Sequence, residues 1–167
     1  MEFRNGNTFA TTAFTSYGVF WWTLVWLWCF PKIHYQTDSG EFLPMASKPP
    51  VDFVAWYLFI WGLFTFFMFL ATLKKDYTIR FIFLSLSVLF WLLALRDWLA
   101  AFEMETAQNV VGKIAGWEGI VCGCSAMYYA MAQVINEEWG RSVLPIGAVN
   151  KPVEVALNEE EQEKLTA

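Results

Sequence analysis

Apolar residues along this chain are gathered into four long runs separated by polar segments. Residues 8–30 contain no charged side chain over 23 positions, and residues 53–73 contain none over 21. The third run is free of charge until Arg96 and Asp97, and the fourth contains one charge, Glu118. A hydrocarbon core about 30 Å thick needs roughly 20 helical residues. The pattern therefore predicts four transmembrane helices, at residues 8–30, 53–73, 81–102 and 114–136.

These runs are apolar on all sides, which distinguishes them from the strands of a membrane β-barrel. Barrel strands alternate polar and apolar residues over about ten positions. Composition agrees with a membrane protein, because 57% of the 167 residues are hydrophobic and only 16% are charged, whereas soluble domains carry about 25% charged residues. We predict an all-α, polytopic transmembrane helical bundle over residues 1–148. The Glu-rich segment 149–167 is predicted to be a solvated, disordered acidic tail.

Lysine and arginine predict the orientation of the bundle. With four spans, the N-terminus, the segment 74–80 and the C-terminal tail lie on one side of the membrane. That side carries seven basic residues and the other side carries four. The short segment with Lys74, Lys75 and Arg80 weighs most, because short loops dominate the positive-inside rule. Both termini are therefore predicted to be cytoplasmic in a multi-pass protein of the cell membrane.

The sequence contains no recognisable constellation for catalysis, metal binding or nucleic-acid binding. His34 is the one histidine, and Cys122 and Cys124 are two residues apart, so they do not share a helix face. There is no glycine-rich phosphate loop, nucleophile elbow or basic stripe. We expect no enzyme activity, no cofactor, no metal ion and no nucleic-acid partner.

Two of the apolar runs have a patterned face. In the first run Thr8, Thr11, Thr12 and Thr15 follow helical spacing and share one side, while Tyr17 points to roughly the opposite side. Hydroxyls in lipid face protein or water, so this face indicates either helix-to-helix hydrogen bonding or the lining of a substrate path. In the last run small residues stand four apart, which indicates close packing within the chain or between protomers.

The charged residues inside the runs allow two interpretations. Arg96 and Asp97 are predicted to lie near the end of the third helix, where they either extend toward water or form a charged mouth that attracts anions. Glu118, four residues after the predicted start of the fourth helix, is expected close to the membrane interface, where a carboxylate suits the helix dipole. If the path interpretation holds, Glu118 belongs to the same charged mouth.

Several motifs then resemble a known family, and they occur in the family's order from about residue 2 to residue 148. They are Gly6-Asn7-Thr8-Phe9, Ser16-Tyr17-Gly18, Trp61-Gly62-Leu63-Phe64-Thr65, Phe83-Leu84-Ser85-Leu86, Ala115-Gly116-Trp117-Glu118-Gly119 and Val143-Leu144-Pro145-Ile146-Gly147. On these motifs the chain resembles the acetate uptake transporter family.

The resemblance implies a six-helix fold that assembles as a hexamer, with one pore in each protomer. It also implies transport of acetate and related short carboxylates such as succinate, by a proton-coupled or a channel-like route. By residue match, Tyr17 and Leu86 are expected at the pore constriction. Asn7, Thr8, Thr11, Thr12 and Thr15 are the candidate lining of the path. A non-transporting membrane scaffold or accessory subunit is the alternative function.

The chain departs from the family pattern at its N-terminus. The family's Asn-Pro-Ala-Pro-Leu-Gly signature and first two helices are not present, and Glu2 to Phe9 match the segment that follows the second helix. The expectation from this match is that Met1 is an internal methionine of a longer protein, or that the gene is truncated. Removing a pair of helices leaves the N-terminus on the same side, so the remaining spans keep their predicted orientation.

Overall fold

The computed structural model describes residues 3–4 and 6–148, and four long helices dominate it. They are α1 (Thr8–Cys29), α2 (Val51–Ala71), α3 (Tyr77–Ala101) and α4 (Glu105–Glu138). The all-α bundle predicted from the apolar runs is confirmed. Both α2 and α3 are long and apolar enough to cross a membrane. The acidic tail predicted at 149–167 lies outside the described residues.

Helix α4 begins nine residues before its predicted start at residue 114, so most of the polar segment between the third and fourth predicted helices is helical. The true connection between α3 and α4 is a short turn that includes Glu103, whose φ is 58°. Residues 105–113 contain no proline, and polar residues such as Glu and Gln are good helix formers. The apolar run therefore marks where α4 becomes apolar, and the helix itself starts earlier.

The segment between α1 and α2 contains a short helical turn and a β-hairpin. One turn of 3-10 helix, Phe30–Lys32, leads into an antiparallel hairpin of β1 (His34–Gln36) and β2 (Phe42–Pro44). Its turn is held by Thr37, whose amide donates to the Glu41 carbonyl at 2.8 Å. All six strand residues are exposed. Neither strand therefore has a buried face that would mark it in the sequence.

Helices α2 and α3 pack closely because Gly62 carries no side chain. A Cβ atom at this position would lie 2.5 Å from the Trp91 indole and 3.2 Å from the Phe90 Cβ atom. Fully buried Ala55 on α2 and Ala94 on α3 also keep this contact short. The central hydrophobic cluster, Phe20, Leu24, Leu58, Phe90 and Ala94, joins α1 to this pair.

Aromatic rings make the contact between α1 and the α2–α3 pair. The Phe20 ring centroid lies 5.0 Å from Trp61 and 5.1 Å from Phe90, both edge-to-face. Further along α1, Phe9 packs edge-to-face on Phe83 at 5.4 Å. Edge-to-face aromatic pairs contribute about 0.5–1.5 kcal/mol beyond the area they bury. One face of α1 is thereby fixed, and large residues on its other faces, such as Trp22, stay exposed.

The segment after α4 folds back onto the start of α3. The Thr78 and Tyr77 amides donate to the Ile146 and Gly147 carbonyls at 3.3 and 3.0 Å. The Asn136 side chain holds the same segment, because its Oδ1 accepts from the amides of Val143 and Leu144 at 2.7 and 2.8 Å. The Val143–Gly147 motif therefore closes one end of the bundle.

The glycines of α4 lie in two different environments. A Cβ on Gly112 would touch Arg96 at 3.4 Å, and one on Gly119 would touch Leu89 at 3.7 Å, so these glycines face α3. Gly116 and Gly123 have no neighbour within 4 Å in the described structure. Packing within the chain thus accounts for part of the pattern.

We expect Gly62→Ala to destabilise the bundle, because the added methyl group must displace the Trp91 ring. Overpacking of a core costs about 1–3 kcal/mol, and the better helix propensity of alanine offsets less than about 1 kcal/mol. Gly18→Ala is the matched control, since a Cβ at Gly18 meets nothing within 4 Å. Thermal unfolding of both detergent-solubilised variants should show a lower Tm for Gly62→Ala alone. Equal Tm values would contradict the close α2–α3 contact.

Candidate functional site

A tyrosine–threonine pair lies at the middle of the bundle. The Tyr17 hydroxyl, ten residues along the 22-residue α1, donates a hydrogen bond to Thr65 Oγ1 on α2 at 2.9 Å. Thr65 has no exposed surface and donates in turn to the Trp61 carbonyl at 2.7 Å. Both hydroxyls therefore have partners in a region where water is scarce, as an apolar medium requires.

Aromatic rings surround this pair. The Trp61, Phe64 and Phe83 ring centroids lie 6.1, 6.1 and 6.2 Å from the Tyr17 ring. Leu86 is half-buried, and it packs against the same central cluster that Tyr17 contacts. The structure thus brings the two predicted constriction residues to one cluster. Their function as a constriction stays a prediction.

The threonine face of α1 lies away from the side that packs on α2 and α3. Thr8 and Thr15 are exposed, and Thr11 and Thr12 are half-buried. Within the described residues the buried Thr11 Oγ1 has no hydrogen-bond partner. Asn7 has a structural function, because its Oδ1 accepts from the Ala10 amide at 3.1 Å and caps α1.

Arg96 and Asp97 form an ion pair at the far end of α3. Arg96 Nη2 lies 2.6 Å from Asp97 Oδ1. They line a cavity of about 440 Å³ together with Lys32 and Lys48 from the segment before α2. Three cations and one carboxylate therefore meet where α1 ends and α2 begins. Neither lysine was predicted as a site residue, because both lie far from Arg96 along the chain.

Glu118 does not belong to this charged cavity, and it is not near the start of its helix. With α4 beginning at Glu105, Glu118 is the fourteenth helical residue. Its Oε1 accepts a hydrogen bond from Ser85 Oγ at 2.6 Å. Ser85 is eleven residues before Arg96 on α3, which is about 16 Å along the helix axis. The expected place of Glu118 in the charged mouth is therefore wrong, and the helix start from which its depth was counted is corrected to Glu105.

Cys122 on α4 lies between Glu118 and Tyr17. It lies four residues after Glu118, on the same face of α4. Its thiol donates a long hydrogen bond to the Ile82 carbonyl at 3.9 Å, and Ser85, Glu118 and Tyr17 lie nearby. We call the group Thr65, Tyr17, Cys122, Ser85 and Glu118 the central polar row. Its side chains come from all four helices, at a similar height along the bundle.

No metal-binding cluster accompanies this row in the described ranges 3–4 and 6–148. There, no group of three or more histidine, cysteine or acidic side chains is placed to hold a metal ion. The groups that remain are hydroxyls, one thiol, one carboxylate and aromatic rings. Such groups bind and orient a small polar molecule or hold a proton.

Known proteins resemble this chain over most of its length. It is 50% identical over 145 residues to an uncharacterized protein of Methanothermobacter thermautotrophicus, covering 87% of this chain and 66% of that relative. It is 44% identical over 147 residues to the succinate-acetate/proton symporter SatP of Escherichia coli K12, covering 88% of this chain and 69% of the symporter. The chain thus spans about two thirds of the length of these relatives.

A solved structure and a family match agree with these relatives. The bacterial acetate channel SatP superimposes with a TM-score of 0.73 at 44% identity, over 87% of this chain and 71% of the channel. These named relatives are a transporter and a channel. Residues 1–149 match the GPR1/FUN34/yaaH family. With nine tenths of its residues inside that match, the chain belongs to the GPR1/FUN34/yaaH family.

Proposed function

We propose that this protein moves acetate and related short carboxylates such as succinate across the cell membrane. The central observation is the Tyr17–Thr65 pair, which is hydrogen-bonded and lies among aromatic rings at the middle of two apolar helices. Relatives named as a succinate-acetate/proton symporter, an acetate channel and an acetate permease support the substrate class. Their names also support transport rather than an enzymatic reaction.

The collar suits a small molecule that has one polar and one apolar end. Acetate carries a methyl group, which can slide along Tyr17, Phe64 and Leu86. Its carboxylate can accept the hydrogen bond that Tyr17 otherwise donates to Thr65. Apolar constrictions in pores exclude water and open only to suitable permeants. A narrow collar with one hydroxyl donor therefore selects short carboxylates over larger anions.

The charged cavity is the proposed entry to this path. Lys32, Lys48 and Arg96 place three positive charges around a space that Asp97 only partly neutralises. Clefts lined mainly by one sign of charge raise the local concentration of the opposite ion. On the predicted orientation this cavity opens outside the cell, and both termini are cytoplasmic. The threonine face of α1 is a second candidate lining, and the assembly is proposed to be a hexamer, as the resemblance implies.

Uptake of labelled acetate into proteoliposomes tests the proposal. We expect Tyr17→Ala and Leu86→Ala to change acetate flux or the acetate-to-succinate preference by about tenfold, because one interaction of 1.4 kcal/mol has that effect. Matched controls are Trp22→Ala and Leu84→Ala on the same helices, since both side chains are exposed. Unchanged flux and preference in both pore variants would overturn the constriction assignment. No uptake by the unmodified protein would favour the scaffold alternative.

The charged entry is tested separately with Lys32→Gln and Lys48→Gln combined. Both lysines are exposed, so their loss should leave the fold intact. We expect the acetate concentration for half-maximal uptake to rise about twofold or more at low salt, and the difference to shrink at high salt, where surface charges are screened. The maximal rate should stay unchanged. Lys113→Gln is the control, since Lys113 is exposed and lies outside the cavity. An identical change in the control would contradict a specific entry.

A further inference from the structure

We propose that the β1–β2 hairpin is a lipid-binding surface, which anchors the segment between α1 and α2 in the headgroup layer of the phospholipid bilayer. The inference goes beyond the proposed function, because it concerns the surface of the hairpin and does not depend on which solute the protein moves. It starts from the unequal polarity of the two hairpin faces.

One face of the hairpin is apolar over two successive residue pairs. Tyr35 pairs with Leu43 in the strand register. Ile33 and Met45 form the next pair toward the helices, because the Met45 amide donates to the Ile33 carbonyl at 2.8 Å and the Ile33 backbone is extended. Side chains two residues apart in a strand share a face. These four side chains therefore lie together, and each is between 37% and 52% exposed.

The same face becomes polar toward the turn. Thr37 and Glu41 form the next pair, since the Thr37 amide donates to the Glu41 carbonyl at 2.8 Å, and exposed Asp38 and Ser39 follow in the turn. At about 3.4 Å per strand residue, the change from Ile33 to Thr37 takes about 14 Å. The headgroup layer on each side of a bilayer is about 5–8 Å thick. A hairpin of this length therefore reaches from the acyl-chain boundary through the headgroups to water.

The rest of the described chain leaves this apolar face open. The hydrogen bonds that residues 33–45 form stay within the segment 30–45, and no strand residue lines the charged cavity. A two-stranded hairpin alone is at best marginally stable in water and needs a surface against which an apolar face can pack. The opposite face suits water better, because it places His34 and Gln36 beside Phe42 and Pro44.

The helix ends place the hairpin at the membrane surface. Helix α2 is long and apolar enough to cross a membrane, and it begins at Val51, six residues after Met45. Leu27 and Trp28 at the end of α1 line the same cavity as Val51. Both ends of the segment that contains the hairpin are therefore at one membrane level. The apolar medium next to the hairpin is the bilayer itself.

Exposed aromatic side chains mark the same level on the helices. Trp28 in the last turn of α1, and Phe53 and Trp56 in the first two turns of α2, are each more than half exposed. Tryptophan and tyrosine are enriched where acyl chains meet headgroups, because their rings are apolar and carry one polar group. Tyr35 adds such a ring to the hairpin, so the lipid-facing surface extends from the helices onto the hairpin.

Anchoring the hairpin also fixes the wall of the charged cavity. Lys32 directly precedes the first apolar pair of the hairpin, and Lys48 follows it by three residues. Both lysines line the cavity. A hairpin held in the headgroup layer therefore keeps these two charges at a defined height above the membrane.

Photo-labelling of the reconstituted full chain tests the anchor. One sample contains a phospholipid with a diazirine close to the ester group of its acyl chain, and another contains a water-soluble diazirine. Adducts are located by tandem mass spectrometry. We expect the lipid reagent to label Tyr35, Leu43 and Met45, and the water-soluble reagent to label Asp38 and Ser39.

Two results would overturn the proposal. If the water-soluble reagent labels Tyr35 and Leu43 as strongly as Ser39, the face is free in water. If neither reagent labels them, a protein surface such as a second copy of this chain covers the face.

A matched pair of variants separates the two faces. Tyr35→Ser with Leu43→Ser makes the apolar face polar, and His34→Ser with Gln36→Ser is the control on the opposite face. Labelling of Met45 by the lipid reagent should fall about tenfold or more in the first variant, because burial of one leucine side chain changes an equilibrium by about that factor. It should stay unchanged in the control.

Labelling of Trp56 on α2 by the lipid reagent serves as the internal reference for insertion of the bundle, and it should be equal in both variants. An equal fall at Met45 in both variants, or no fall in either, would contradict a lipid anchor formed by the apolar face.

Discussion

The close contact between α2 and α3 at Gly62 determines where the polar groups of this protein lie. Trp91 and Phe90 sit where a side chain on Gly62 would be, so the two helix backbones approach with small residues between them. This contact fixes the rotation of α2, which turns Thr65 toward Tyr17. It also fixes the rotation of α3, whose opposite face presents Ser85 to Glu118. A bulkier residue at Gly62 would disturb both polar contacts through one displacement.

Some hydroxyl groups of the helices bond to carbonyls of their own helix, and others bond to a different helix. Thr72 donates to the Phe69 carbonyl, Ser87 to Phe83 and Ser125 to Cys122. Such bonds satisfy a hydroxyl in an apolar medium without any tertiary contact. The Tyr17–Thr65 and Ser85–Glu118 bonds instead cross between two helices, as the Thr23–Tyr57 bond also does. The first two hold the central polar row together, and a permeant that replaces one of them changes contacts between helices.

The exposed surface shows why the bundle needs an apolar environment or partners. Large apolar side chains on α1 and α2, among them Trp22, Ile60 and Phe67, are more than half exposed. Soluble monomers rarely show contiguous apolar patches beyond a few hundred square ångströms. Lipid covers such a surface without a hydrophobic cost. The same surface supplies control positions, because substitutions there leave the central row untouched.

The helices were predicted well because the apolar run that marks a transmembrane helix is a property of the local sequence. Charge-free runs of about 20 residues gave α1 within one residue and α2 within two residues of the observed bounds. The start of α4 escaped because the polar residues 105–113 continue the helix beyond the apolar run. The depth of Glu118 was therefore counted from the wrong residue. The hairpin β1–β2 has no buried face to reveal it.

The candidate site was only partly predictable, because tertiary contacts decide it. Motif resemblance identified Tyr17 and Leu86, and the structure brings both to one cluster. Thr65 and Ser85 were part of quoted motifs, yet nothing in their spacing showed which partner each would bind. Lys32 and Lys48 join Arg96 only after the chain folds. Helix periodicity gives the face of a residue, whereas its neighbour depends on the rotation of the next helix.

The most direct test of this account is a double-mutant cycle on acetate uptake with Tyr17→Phe and Glu118→Gln. Tyr17→Phe removes the hydroxyl and keeps the ring, so the collar stays closed. If the two residues act through one polar row, the effect of the double variant should differ from the product of the single effects by about twofold or more, which corresponds to a coupling of at least about 0.5 kcal/mol. If the effect of the double variant equals the product of the two single effects, Tyr17 and Glu118 act independently, and the account is contradicted.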